Sequence, residues 1–203
     1  MFVKLLAIAV SAPAGNPLLA APRRQWHIGA MIRSSLCAAL VALPAPALAT
    51  EAFLGVAAQG VETPFTIATG QRGTSLQAGV RGRRIAGLRA VGSPQPYLFG
   101  AVNTGGGVSF AAAGLSWRIG KGPVFLRPGI GLAIHDGRIP TYDAVGRSDL
   151  GSRVLFEPEL ALGMRLSPRV VVEASWVHLS HAQLFGGQNP GVDIIGARLS
   201  FEF

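Results

Sequence analysis

The chain is short of charge, of cysteine and of long apolar runs, and each shortage removes a class of protein. Charged residues fill 14% of 203 positions, against about a quarter in ordinary soluble domains. Mean hydropathy is +0.40, and glycine supplies 27 residues. A disordered chain needs the opposite balance, low hydrophobicity with high charge. The single cysteine, Cys37, excludes a disulfide framework and any cysteine-based metal site. Past residue 50 no apolar run approaches the ~20 residues of a spanning helix. Scattered apolar residues have to be buried, or meet lipid, in short pieces. That points to strands.

Acids are scarce too. The formal net charge is +8 and the pI near 11.2, but the basic residues stand singly and make no dense patch, so no nucleic-acid partner is read from them. Near the start, Met31-Ile-Arg-Ser-Ser precedes the apolar stretch Leu36 to Leu43, with small residues at Ala47 and Ala49. This is the order of basic region, apolar region and cleavage site in a signal peptide. Three segments are therefore expected: 1–30 as a non-native upstream extension or a disordered stretch, 31–49 as signal peptide, and 50–203 as one barrel domain. Translation is expected to start at Met31. Residues 1–49 hold Lys4, Arg23, Arg24 and Arg33 and no acid, which leaves the exported part at +4.

That part reads as eight short alternating segments: about 52–60, 74–83, 95–103, 108–119, 124–135, 153–166, 169–181 and 192–203. Successive side chains of a strand face opposite ways. In the sixth segment Val154, Phe156, Leu160, Leu162 and Met164 share one face, and Arg153, Glu157, Glu159 and Arg165 share the other. In the last, Ile195, Ala197, Leu199, Phe201 and Phe203 oppose Arg198, Ser200 and Glu202. The polar faces hold both Arg and Glu, which can pair inside a barrel just wide enough for side chains. The expected fold is all-β: an eight-stranded antiparallel transmembrane outer-membrane β-barrel with a polar interior. A secreted lipocalin-like barrel is the alternative. With both termini at the periplasmic end, Gly120–Pro123 and Ser167-Pro168 become short turns, while 136–152 and 182–191 become outer loops. Two connections break the length rule: 84–94 is long for a periplasmic turn, and Asn103–Gly107 is short for an outer loop.

The seventh segment carries an unexpected set on its apolar face. Val170, Val172, Ala174 and Trp176 continue into His178 and Ser180. Asp193 shares the parity of Ile195 and Leu199, and a symmetric 182–191 hairpin sets it directly across from His178. Cross-strand neighbours have Cβ atoms about 4.5–5.5 Å apart. An acid, an imidazole and a hydroxyl in this order form a nucleophile activated by a base and an orienting acid. The bland alternative is a group of interfacial polar residues where barrel meets headgroups. Ionisable pairs on a lipid face are costly, which favours the catalytic reading. His181 has interior parity or begins the loop, with a loop role favoured over a catalytic one, and His135 reads as a packing or ion-pair residue.

The run Trp176-Val-His178-Leu-Ser180-His-Ala-Gln-Leu-Phe-Gly-Gly-Gln-Asn189-Pro-Gly191-Val-Asp193, before a final strand ending in Phe203, resembles the lipid A 3-O-deacylases (PagL, also called acyloxyacyl hydrolases). The resemblance is specific over about 153–203 and architectural over 50–152. It implies an outer-membrane serine esterase that hydrolyses the 3-O-linked hydroxyacyl ester of lipid A, with His178 as base, Ser180 as nucleophile and Asp193 as orienting acid. Ala182, Asn189 and Gly191 become oxyanion or loop-shaping candidates. Asp193 stands where some members have Glu, and His181 where many have Asn. Arg138, Arg147 and Arg153 are candidate contacts for lipid A phosphates, or residues that merely solvate their loop.

No metal or organic cofactor is expected, and Asp136, Asp143 and Asp149 match no calcium-loop spacing. The implied partners are lipopolysaccharide as substrate and outer-membrane lipid, with a homodimer left open. The competing functions are a non-catalytic small barrel, structural, adhesive or lipopolysaccharide-binding, and an acyl transferase of the same envelope.

Overall fold

Alternation along the chain becomes eight strands in a computed structural model, which describes residues 49–64, 66, 72–137, 150, 152–181 and 191–203. The expected upstream extension and nearly all of the signal peptide lie outside the described residues, as do Arg138, Arg147, Asp143, Asp149, Ala182 and Asn189. The strands are β1 (Ala49–Gln59), β2 (Gly73–Gly82), β3 (Gln95–Asn103), β4 (Phe110–Ser116), β5 (Val124–His135), β6 (Val154–Arg165), β7 (Val170–Leu179) and β8 (Val192–Glu202). Each pairs antiparallel with its sequence neighbours, and β1 pairs β8, closing the barrel. Closure removes the unpaired sheet edges that a bilayer would leave unsatisfied. Among the described residues no helix is long and apolar enough to cross a membrane.

The outer wall is apolar. Leu54, Leu76, Ile130, Leu162, Ile195 and Leu199 all point outward and are exposed. The interior has two layers. Toward the periplasmic end Arg81 and Arg127 each bridge Glu51 and Glu173, and Arg198 pairs with Glu159. These charges are buried but mutually paired, the condition under which burial is tolerated. The Arg198 guanidinium also lies 4.9 Å from the centroids of the Phe53 and Phe99 rings. Gly79 makes room for this filling, since a Cβ there would stand 2.6 Å from Phe53 Cζ.

Toward the outer end apolar side chains join the filling, among them Phe110, Leu150, Leu155, Leu179, Val192 and Ile194. The interior is polar along its length, as expected, since Gln59, Ser75, His135, Glu157 and His181 are buried toward the outer end as well. The apolar share comes from the inward positions of β7 and β8, which change from Glu173 and Arg198 to Val177, Leu179 and Ile194 toward the outer end. The short connection after β3 is held by Asn103, whose Oδ1 accepts from the Gly105 and Gly107 N–H groups at 2.8 and 2.9 Å. The long one, 83–94, is not a bare loop, because it contains a 3₁₀ helix at Ala86–Val91.

Candidate active site

The β7–β8 pairing runs without a break from Val170↔Phe201 to Leu179↔Val192, so His178 faces Asp193 in register. His178 Nδ1 lies 2.8 Å from Asp193 Oδ1. A carboxylate only accepts, so the Nδ1 proton is donated to it and Nε2 is left as the basic nitrogen, directed away from Asp193.

Asp193 projects from the outer wall, yet it is 0% exposed. The cover comes from another connection of the barrel. The start of the β1–β2 connection lies against the start of β8, where Gly60 N and Val61 N donate to the Asp193 carbonyl at 2.9 and 3.2 Å. This brings two hydroxyls onto the carboxylate: Thr63 Oγ1 donates to Oδ2, and Thr66 Oγ1 donates to the same oxygen at 2.9 Å. Trp176 Nε1 donates to Oδ1 at 2.8 Å. A buried carboxylate needs its lone pairs satisfied, and four side chains do so here.

Ser180 follows His178 by two residues on the same face, about 6.6 Å along a strand. Its backbone is fixed by a bridge to Phe156, with Ser180 N donating to the Phe156 carbonyl at 3.1 Å. No hydrogen bond joins the Ser180 hydroxyl to His178 among the described residues. Gly191 stands at φ +64, and a Cβ there would lie 2.7 Å from His178 Cε1, so glycine is needed for both the turn and the approach to the imidazole.

The remaining candidates separate. His181 is buried at 1% exposure, with the interior parity read from the sequence, where the chain leaves β7. Leu155 and Leu179 are buried at the same end of the barrel. His135 also lies inside, its Nε2 2.7 Å from the Ser152 carbonyl, and so packs through a hydrogen bond. Arg153 is exposed at the outer rim, where Nη1 donates to the carbonyls of His135 and Gly137 at 3.2 and 2.8 Å. Among the described residues no three His, Cys, Asp or Glu side chains group as metal ligands would.

The family model for lipid A 3-O-deacylase (PagL) matches residues 59–202. The chain belongs to the lipid A 3-O-deacylase (PagL) family. It is accordingly an ester hydrolase of that type, built on an outer-membrane barrel. The crystal structure of the outer-membrane enzyme PagL superposes with a TM-score of 0.55 at 18% identity, covering 75% of this chain and 99% of that one. At that identity the likeness speaks for the fold. Neisserial surface protein A aligns at 14% identity and TM-score 0.48, over 75% of this chain and 96% of its own. The N-terminal barrel domain of Pseudomonas aeruginosa OprF aligns at 11% identity and TM-score 0.47, over 77% and 99%. No curated protein matches the chain.

Three residues of this site escaped the sequence reading. Trp176 has the right parity and spacing, but nothing in the sequence marks its indole as a donor to Asp193. Thr63 and Thr66 come from the far end of the chain, and only the closing β1–β8 register, Gln59↔Ile194, sets them beside Asp193.

Proposed function

We propose that the chain removes the 3-O-linked hydroxyacyl group of lipid A through Ser180, His178 and Asp193. The observation that carries this reading is the 2.8 Å hydrogen bond between His178 and Asp193 on the outer wall, one strand step from Ser180. Lipid A lies beside the barrel in the outer leaflet, so an outward-facing site meets its substrate without extracting it. Ser180 Oγ attacks the ester carbonyl as His178 Nε2 takes its proton, and Asp193 stabilises the imidazolium that forms. The tetrahedral intermediate expels the sugar 3-oxygen, which takes the proton back from His178. Water, deprotonated by the same imidazole, then releases the hydroxyacyl chain from Ser180 as a free acid.

The serine–imidazole bond closes on substrate binding, because such contacts are often long before substrate arrives. The released chain has an apolar path on the same wall: Phe156 is bridged to Ser180, and Leu132 pairs with Phe156. Arg153, exposed at the outer rim, would meet a phosphate of the disaccharide. Ala182, Asn189 and Gly191 remain the oxyanion or loop-shaping candidates. Export through residues 31–49 delivers the barrel to the outer membrane.

Mass spectrometry of lipid A from a Gram-negative host expressing the full chain, beside Ser180→Ala, tests this. Loss of one hydroxyacyl group with the wild type alone is expected, with both proteins migrating as heat-modifiable barrels. An unchanged spectrum with folded wild type, or deacylation that survives Ser180→Ala, overturns it. Intact mass of the same barrel is expected to begin at Thr50, and retention of residues 23–30 would exclude a start at Met31.

A further inference from the structure

The end of the barrel away from the candidate active site carries a feature that catalysis leaves unused. The 83–94 connection is longer than a periplasmic turn requires, and it is spent on the 3₁₀ helix Ala86–Val91, none of whose residues is buried. Trp117 fixes where this helix lies. Ser116 is buried in the barrel interior, and Ile119 is exposed on the outer wall. By alternation Trp117 therefore faces outward with Ile119. Its Nε1 donates to the Val91 carbonyl at 2.6 Å. The helix is thus tied to the lipid-facing wall, not tucked beneath the barrel mouth.

Tryptophan at that height belongs to the membrane–water interface. The side chains that the helix and its approach present there are of two kinds. Leu88 and Val91 are exposed at 37% and 58%. Arg83, Arg84 and Arg89 are exposed and make no ion pair among the described residues. Lys121 and Arg169 are exposed on the neighbouring turns at the same end. Glu202, the acid at this rim, is already taken by Arg118 and Arg165 at 2.9 and 2.8 Å.

We infer that the 83–94 segment is an interfacial strap that binds the anionic phospholipid headgroups of the periplasmic-side leaflet. Leu88 and Val91 enter the edge of the acyl region, and Arg83, Arg84 and Arg89 meet lipid phosphates. Apolar residues flanked by cations at headgroup level are the pattern of a helix lying in the interface. Cations near an anionic surface add to binding in a salt-sensitive way. The same three arginines against zwitterionic lipid gain much less, so the strap distinguishes lipids by charge. It also explains why this turn breaks the short-turn rule.

The test is hydrogen–deuterium exchange of the 85–93 amides in the full barrel, in nanodiscs of phosphatidylcholine alone or mixed with phosphatidylglycerol. These amides include Leu88 N and Ser93 N, which are bonded within the segment at 3.0 and 2.9 Å. Phosphatidylglycerol is expected to raise their protection about fivefold or more, the equivalent of one cation's contribution at an anionic surface. High salt, or the combined Arg83→Gln, Arg84→Gln and Arg89→Gln variant, is expected to erase that gain while deacylation persists. Equal protection in both lipids overturns the inference. So does a gain that survives the triple variant, or protection that appears only when peptidoglycan fragments are added.

Discussion

Glu173 on β7 and Asp193 on β8 have the same exposure, 0%, and opposite company. Glu173 points into the barrel and accepts from Arg127 Nε at 2.7 Å and Arg81 Nη2 at 3.1 Å. Both partners are permanent cations. Asp193 points outward and accepts from Thr63, Thr66 and Trp176, all neutral, and from one imidazole. A carboxylate clamped by guanidiniums cannot follow a change of charge nearby, because its charge is already met. One whose single titratable partner is histidine can support a proton that comes and goes. The first arrangement holds a structure, and the second suits a reaction.

The largest break in that comparison is Asp193→Asn. The amide is nearly isosteric and keeps an oxygen for its neighbours, but its NH₂ can turn toward His178 Nδ1. That would place the imidazole proton on Nε2, the nitrogen that has to accept the Ser180 proton. A fall in kcat of about 10³–10⁴-fold is expected, with the barrel still heat-modifiable, since a wrong tautomer costs this much in serine hydrolases. Lipid A deacylation followed by mass spectrometry reads it. A loss below tenfold would remove Asp193 from the orienting role.

Glu173→Ala reverses the roles. Arg81 and Arg127 keep Glu51 but lose their second counter-charge, both side chains remaining inside the barrel. Breaking one partner of a buried ion network costs about 3 kcal/mol. The urea midpoint in detergent is expected to fall accordingly, while kcat per folded molecule stays at the wild-type value. If activity falls in step with Asp193→Asn, the two carboxylates are not the separate devices that their partners indicate.

The sequence made much of this visible, and physics says which part. The two faces of β6 and β8 were legible because period two is carried by every residue, whether or not its partner strand is known. The His178–Asp193 pairing was legible because a hairpin fixes its own register, and an unbroken ladder from Val170↔Phe201 to Leu179↔Val192 bears this out. The lid on Asp193 was not. Thr63 and Thr66 are 130 and 127 residues from it, joined through the closing seam of the barrel, whose register no local pattern encodes. For His181 parity offered the interior or the start of the loop, because one strand residue more or less decides whether the side chain stays inside or leaves with the loop.

The hydroxyl lid gives the smallest and most informative effect. In the paired variant Thr63→Val with Thr66→Val, shape is kept and two donors to Asp193 Oδ2 are lost. Each neutral hydrogen bond is worth about 1 kcal/mol, and part of that is lost equally from the resting enzyme and the transition state. A fall of about tenfold in kcat is therefore expected, with KM little changed, because neither hydroxyl is directed at the substrate. Serine at both positions restores the donors without the methyl groups and is expected to recover most of the rate. Recovery by serine would separate a hydrogen-bonding role from simple packing, since serine leaves the larger void of the two. If valine and serine variants lose activity alike, the lid shields Asp193 from lipid and does no more. The neutral company of Asp193 would then matter for its burial, and its orientation would rest on Trp176 and the β8 backbone.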